Sequence, residues 1–453
     1  MPFVRRSELR AMSRLALPIV LAQVGIMSMG VVDTVMVGRV SAEALAAVAL
    51  GNLYFITLSI PSTGLLMVLD PLVSQAVGGR DGERVALAVQ RAVVLSVVLA
   101  AVTSVALWPV HAVLSFFRQP EPLVVLATSY VRISIAALLP FLAFGVLRQS
   151  LQAMHHTRAI VLVAVMANVV NAGLNWMLIY GHLGFPRMGV AGSAWATCAS
   201  RWVMAIALLL GGWHALQPAL LPRRAAALDG AALAHMVRLG APIGLQQLLE
   251  IGVFAAIGLL MGALGARQMA AHQVALNLAS LTFMVPLGVG AAAAVRVGNA
   301  VGAGDAAAAR ERARTALVVG AGFMLCTGTV MIAVPRAIAA LYTDQAEVAM
   351  LAATLIPIAG VFQVFDGIQA VSAGVLRGLG DTRAPFVINL AGFWLIGFPV
   401  SIALGFHSTL GAVGLWWGLV AGLVVVAALL VGRVRHRMRG RLEPATLGRL
   451  AES

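Results

Sequence analysis

Charge is scarce in this chain. Only 11% of its 453 residues are Asp, Glu, Lys or Arg, against about a quarter in an ordinary soluble domain, which excludes a water-soluble domain of this size. Lysine is absent altogether, so all 31 basic residues are arginine, a mark of genome composition more than of chemistry. The two cysteines, Cys198 and Cys326, both fall inside apolar runs and supply neither a disulfide framework nor a metal cluster. No glycine-rich phosphate loop follows a strand, which argues against an ATP-driven pump. An intramembrane hydrolase needs a nucleophile with its base, or a histidine-rich metal site. His111, His155, His156 and His407 lie at the ends of apolar runs without such partners.

What the chain has is apolar length. Hydrophobic residues make up 61% of it, and runs of the roughly 20 residues needed to cross a bilayer recur throughout. Spans are expected near 15–37, 45–72, 92–113, 124–148, 159–180, 189–212, 239–263, 270–293, 315–335, 347–376, 384–406 and 410–432. The expected fold is an all-α polytopic membrane protein with twelve transmembrane helices. The N-terminal "MPFVRRSELRAMSRLALPIVLAQVGIM" has the charge layout of a signal peptide, but its apolar run outlasts a typical h-region and reads as an uncleaved first span. A net charge of +14 would suggest nucleic acid in a soluble protein. Here the arginines sit between apolar spans rather than in one patch, which implies a lipid bilayer as partner and no nucleic acid. With both termini cytoplasmic, the inner segments hold Arg5, Arg6, Arg10 and Arg14, then Arg80, Arg84 and Arg91, then Arg148 and Arg158. They go on with Arg223, Arg224 and Arg238, with Arg296, Arg310, Arg312 and Arg314, with Arg377 and Arg383, and with the run from Arg433 to Arg449. The positive-inside rule sets that orientation, and the expected location is the inner (plasma) membrane.

The second half repeats the first. "RLALPIVLAQ" (14–23) aligns with "RLGAPIGLQQ" (238–247), and at the same offset of 224 "GGRD" (78–81) meets "GAGD" (302–305). One residue later in register, "LQAMHHTR" (151–158) meets "LRGLGDTR" (376–383). Six spans per repeat is an even number, so two six-helix lobes share an orientation and are related by a pseudo-twofold axis along the membrane normal. The expected divisions are a lobe over 1–212, a cytoplasmic linker over 213–237, a second lobe over 238–432 and a basic tail over 433–453. Such duplicated lobes suit alternating access around a central cavity.

Few charged groups lie within spans: Asp33, Asp70, Arg132, Arg201, Glu250 and Asp366. Each costs roughly 2.5–3.5 kcal/mol to bury even on insertion scales, so each is a functional candidate. Counting about 1.5 Å per helical residue puts Glu250 about 15 Å and Asp366 about 16 Å above the inner boundary. Two carboxylates at one depth suit cation coordination or proton exchange. Gln363 and Gln369, at i−3 and i+3 from Asp366, carry amides on the same helical face. Asp33 stands higher, about 28 Å up, near the level of Asn175 at about 25 Å. Asn168, Asn171 and Asn175 share one helical face. One acid with a stripe of amide oxygens supplies hard ligands for a small cation or a hydrogen-bonded proton site, while each Asn alone serves equally well as glue between helices. The acids break the repeat, because Asp33 faces Ile257, Glu250 faces Ile26 and Asp366 faces Phe141. Arg201 reads as structural, bonded to carbonyls or an acid. Asp70, next to Pro71, belongs either to the cavity or to a helix break. The Gly258/Gly262 pair and "GLWWGLVAG" (Gly414, Gly418, Gly422) have the spacing of close helix contacts.

Five stretches carry a family pattern: "VVDTVMVG" (31–38), "PIGLQQLLE" (242–250), "AAHQVALN" (270–277), "RVGNAVGAGD" (296–305) and "FDGIQAVSAGVLRGLGDTR" (365–383). In these the chain resembles the multidrug and toxic compound extrusion (MATE) family, in its NorM-like bacterial branch. The resemblance implies a twelve-helix, two-lobe antiporter that exports amphipathic organic cations in exchange for Na⁺ or H⁺; a monomer is expected. It implies that Asp33 is the family's first-helix acid with Asn171 and Asn175 as fifth-helix partners. Glu250 and Asp366 then match the second-lobe cation site, a Na⁺ site if that is the ion. Asp70 departs from the apolar or small residue expected in this branch. The alternative is a lipid-linked oligosaccharide flippase of the same superfamily. Its pyrophosphate calls for several Arg or Lys in the cavity, where Arg132 and Arg201 are outnumbered by carboxylates. A passive channel fits two unequal lobes less well than alternating access does.

Overall fold

The computed structural model describes residues 5–440 and 442. The part of the basic tail that follows Gly440, Leu442 apart, lies outside the described residues. Among the described residues the chain is all helix, with no strand.

Twelve spans follow in order: α1 Arg6–Gly38, α2 Ala42–Gly78, α3 Gly82–Leu107, α4 Glu121–Ile135 with Leu138–Ala153, α5 Arg158–Tyr180 and α6 Val190–Gly211. Then come α7 Gly230–Leu264, α8 Ala266–Gly302, α9 Ala306–Ala333, α10 Ala346–Gly378, α11 Arg383–Phe406 and α12 Ala412–Arg439. Among the described residues, eleven of these are long and apolar enough to cross a membrane alone, and α4 makes the twelfth as a pair bent by 50°. Their outer faces are greasy, as at Leu162 (71% exposed) and Leu259 (78%). Contiguous exposed apolar surface on this scale is a lipid-facing wall rather than a water-facing one.

Several helices outrun their apolar cores because their ends are specified separately. α3 begins at Gly82, well ahead of the expected span, because the Asp81 carboxylate accepts a hydrogen bond from the Arg84 N–H at 3.0 Å. Asp305, its counterpart in the repeat, accepts from the Ala308 N–H at 2.8 Å and starts α9. Before each cap stands a left-handed residue, Arg80 (φ 56°) or Gly304 (φ 72°). The aspartate N–H then reaches back to Ala76 O or Ala300 O, the bond that closes a preceding helix. "GGRD" and "GAGD" are therefore one turn device used twice.

The chain packs as two compact units, Leu21–Gly244 and Leu245 onward together with the start of α1 through Val20. The divisions thus fall inside α1 and α7, not at the expected linker. Glycines are the local cause. A Cβ on Gly240 would sit 2.3 Å from Leu65 O and one on Gly244 would sit 2.4 Å from Pro61 O, so the start of α7 lies directly on the α2 backbone. A Cβ on Gly288 would meet the Val20 side chain at 2.5 Å and its backbone nitrogen at 3.1 Å, so the first half of α1 packs against α8. The expected linker is folded too. Trp213–Leu220 is helical, Gln90 Nε2 donates to Ala219 O and Pro222 O at 3.0 Å each, and Arg91 donates to Ala226 O.

In the unit from Leu245 onward, α10 packs on α8, α9 and α12, α8 also packs on α9, and α11 packs on α12. The expected glycine seam is present there: a Cβ on Gly414 would fall 2.2 Å from Leu404 O and one on Gly418 2.3 Å from Ser401. Gly258 and Gly262 depart from that expectation: a Cβ on Gly258 would meet only His272 Nε2, at 3.9 Å, and one on Gly262 would meet nothing within 4 Å.

Candidate functional site

Each unit buries at least one sequence-predicted acid together with amide side chains. In the unit of Leu21–Gly244, Asp33 sits near the end of α1 and the asparagine stripe lies on α5. Asn175 Nδ2 donates to Asp33 Oδ1 at 2.5 Å and also lies 3.1 Å from Asn171 Oδ1. Thr197 Oγ1, on α6, donates to Asp33 Oδ2 at 2.9 Å. Both carboxylate oxygens are thus bonded. Asn171 and Asn175 are completely buried, and Asn171 Nδ2 and Asn175 Oδ1 meet no protein partner. The sequence stripe brings together Asp33, Asn171 and Asn175 but not Asn168. Asn168 Nδ2 donates instead to Gly25 O and Ala164 O, at 2.7 and 2.8 Å, and so fastens α5 to α1. Thr197 was not foreseen, since a threonine in an apolar span ordinarily bonds back to its own helix.

Two other charged groups of this unit lie within its spans as well. The Arg201 guanidinium lies over the rings of Phe55 and Phe141, 4.6 and 4.8 Å from their centroids. The two aromatic faces make a cation–π arrangement worth about 2 kcal/mol when desolvated, and the expected acid is present as Asp33, which lies within coulombic reach of the guanidinium. Asp70 is buried (1% exposed) in the first turn of the Leu69–Gly78 segment, just past the Met67–Val68 break in α2. It lies within coulombic reach of Arg148, which donates to Gln23 Oε1 at 2.6 Å. Asp70 thus stands at a helix break, with Arg148 as the charge nearby.

In the unit from Leu245 onward, Glu250 and Asp366 lie mid-way along α7 and α10. Gln369 stands beside Glu250, and each carboxylate is within coulombic reach of a second charge, Arg377 for Glu250 and Glu250 for Asp366. Asp366 (7% exposed) keeps Oδ1 without a protein partner, as does the fully buried Gln369 at Oε1. Glu250 and Asp366 together with the Gln369 carbonyl therefore gather hard oxygens of which two are uncommitted, the donor chemistry of a small hard cation or a proton. Gln363 departs from its expected place beside Asp366. Its Oε1 accepts from Thr282 Oγ1 at 2.6 Å and its Nε2 donates to Thr327 Oγ1 at 2.9 Å, so it ties α8, α9 and α10 together. Among the described residues no cluster of three His, Cys, Asp or Glu side chains suits a metal ion.

The sequence model of the MatE family matches residues 18–177 and 242–403. A multidrug resistance protein NorM of Burkholderia vietnamiensis is 42% identical over 429 residues, 93% of this chain and 92% of its own length. A probable multidrug resistance protein NorM of Mesorhizobium japonicum is 37% identical, over 96% of this chain and 95% of its own. Among solved structures, a eukaryotic MATE transporter superposes with a TM-score of 0.86 at 24% identity, covering 95% of this chain and 99% of the other. The outward-facing conformation of a multidrug resistance MATE family transporter gives 0.85 at 21% identity, over 95% and 96%. At those identities the structures speak for the fold.

Proposed function

The chain belongs to the MatE family, and on that premise we propose that it is a secondary active antiporter. It exports amphipathic, mostly cationic drugs or toxic organic compounds in exchange for Na⁺ or H⁺, by alternating access. The observation that carries the reading is the Glu250–Asp366–Gln369 group with its uncommitted oxygens. Ion and substrate compete for it, because a cation of either kind satisfies the same acceptors. Coupling follows if the ion binds the two access states with different affinity; an ion indifferent to them shifts nothing. Asp33 with Asn171, Asn175 and Thr197 shapes the other cavity for release. The protein acts as a monomer in the inner membrane with both termini cytoplasmic. A flippase for lipid-linked pyrophosphates is not favoured, since Arg201 is covered by two phenyl rings and Arg132 lies over Trp108.

Everted vesicles containing the full chain test the function. Imposed Na⁺ or pH gradients should drive ethidium accumulation, and accumulation that ignores both gradients would overturn antiport. In a cysteine-free background, cysteines at His182 or His407 should react with an impermeant thiol reagent from outside, and those at Arg223 or Arg310 should not. The opposite labelling would overturn the orientation.

A further inference from the structure

His272, in α8, is completely buried, and no protein atom satisfies either ring nitrogen. Trp416, in α12, is equally buried with its Nε1–H unbonded, and its ring lies 5.7 Å from the imidazole. Leaving one buried polar group without a partner costs about 1–3 kcal/mol, so three such atoms side by side call for a reason. A phenyl ring in place of the imidazole would pack there without that cost.

What lies on either side of the pair supplies the reason. At the starts of α8, α10 and α12 a cavity of about 410 Å³ is lined by Gln268, Thr354, Ala412 and Val413, with the Arg267–Glu347 ion pair (3.2 Å) among its walls. Gln268 stands one helical turn before His272, and Ala412 and Val413 stand one turn before Trp416, so the two rings follow directly beneath the cavity. On the other side Trp416 meets Phe362 edge-on at 5.8 Å, and Phe362 meets Phe254 edge-on at 5.9 Å. Phe254 is one turn past Glu250, and Phe362 is one turn before Asp366. The order is therefore cavity, His272 with Trp416, a phenyl pair, then the two carboxylates.

We propose that this is a proton-entry route to the Glu250–Asp366 site, with His272 as its relay and the Phe254–Phe362 pair as its hydrophobic gate. The proposal rests on the reading of those carboxylates as the coupling site, and it names the coupling ion as H⁺. Water in the cavity gives a proton to one imidazole nitrogen, and the other nitrogen releases its own proton inward through water to Asp366 when the phenyl rings part. A ring flip restores the starting tautomer, so the ring gains no net charge. The charged groups around this route are Arg267 on α8, Glu347 and Asp366 on α10, Glu250 on α7 and, at its inner end, Arg377 on α10, within coulombic reach of Glu250; α9 and α12 bring none at the level of His272, and Cys326 of α9 is exposed. His272 acts through the carboxylates and is a positioning and relay residue for them.

The test uses the full chain in proteoliposomes, with ethidium as substrate and a trapped pH dye. His272→Phe and His272→Gln should each slow pH-driven ethidium transport and the matching proton counterflow roughly tenfold or more. The ethidium Kd of the purified protein should stay within about twofold, and His272→Phe should raise Tm because it removes the unsatisfied nitrogens. Exposed His436→Gln should move none of these. Phe362→Ala should admit a proton leak without ethidium, which keeps the route testable if both histidine variants misfold. Wild-type proton counterflow in His272→Phe, or a proton-tight Phe362→Ala, would overturn the route. A wild-type protein driven by Na⁺ alone would also overturn it while leaving antiport standing, whereas no gradient-driven transport at all would overturn antiport itself.

Discussion

Asp33 and Asp366 are both buried aspartates in long apolar helices, yet their oxygens are treated differently. Asp33 has a donor on each oxygen, Asn175 on one and Thr197 on the other. Asp366 has no protein partner on Oδ1, and the neighbouring Gln369 has none on Oε1. A carboxylate already satisfied gains little from an arriving cation and must break bonds to receive it. An unsatisfied one gains the full benefit of pairing, which is the larger quantity where no water competes. The difference is what supports the proposal that the exchanging ion binds at the Asp366 site while Asp33 shapes its own lobe. Helix position agrees, since Asp33 stands near the end of α1 and Glu250 and Asp366 stand mid-helix.

The largest expected effect lies at the unsatisfied site. Glu250→Gln and Asp366→Asn should each cut gradient-driven export by about two orders of magnitude or more, with folded protein still in the membrane. The double variant should be little worse than either single one, because groups that act as a unit are strongly non-additive. Near-normal efflux by either single variant would remove the distinction between the sites.

Next comes Asp33→Asn. It should still bind a fluorescent organic cation, while the power of Na⁺ or H⁺ to displace that cation falls roughly tenfold, the equivalent of about 1.4 kcal/mol of coupling. In Asp366→Asn, ion binding itself should weaken. Titrating purified protein with Na⁺ and with pH separates the two, and the reverse pattern would exchange the roles of the two aspartates.

Much of this was legible in the sequence, and the gaps have physical causes. All twelve spans follow from apolar length alone. Their ends do not, because Asp81 and Asp305 start α3 and α9 from outside the apolar runs. The unit boundary inside α1 and α7 was invisible, since Gly240, Gly244 and Gly288 declare a close approach without naming the helix approached. Asp33, Asn171 and Asn175 could be found because helical spacing puts the two amides on one face and depth brings the acid level with them. Gln363 shared a face with Asp366 by the same rule, but Thr282 and Thr327 hold its amide elsewhere. Spacing along one helix cannot say what the opposite helix offers.

A smaller effect is expected at Thr197. Thr197→Val keeps the shape of the side chain and removes the donor to Asp33 Oδ2, which leaves a buried acceptor open at a cost of about 1–3 kcal/mol. Thermal unfolding in detergent should register that loss. If the satisfied state of Asp33 is what separates the two sites, the variant should also make Asp33 more responsive to ions, so displacement of the organic cation should shift in the direction opposite to Asp33→Asn. An unchanged titration would show that Thr197 only packs.

The smallest effect separates two members of one stripe. Asn168 and Asn175 lie seven residues apart on the same face of α5, but Asn168 donates to the carbonyls of Gly25 and Ala164 while Asn175 donates to Asp33. Hydrogen bonds between membrane helices average about 0.6 kcal/mol. Asn168→Leu should therefore cost stability on that scale and leave export and ion displacement as they are. Gly25 O loses the Asn168 amide donor but keeps its place in α1, and a leucine of similar volume fills the space. Asn175→Leu should cost more, because it strips a donor from a buried carboxylate, and it should move ion displacement in the same direction as Thr197→Val. Equal effects of the two leucine variants on displacement would mean that the stripe works as one polar surface and that Asp33 has no private partners.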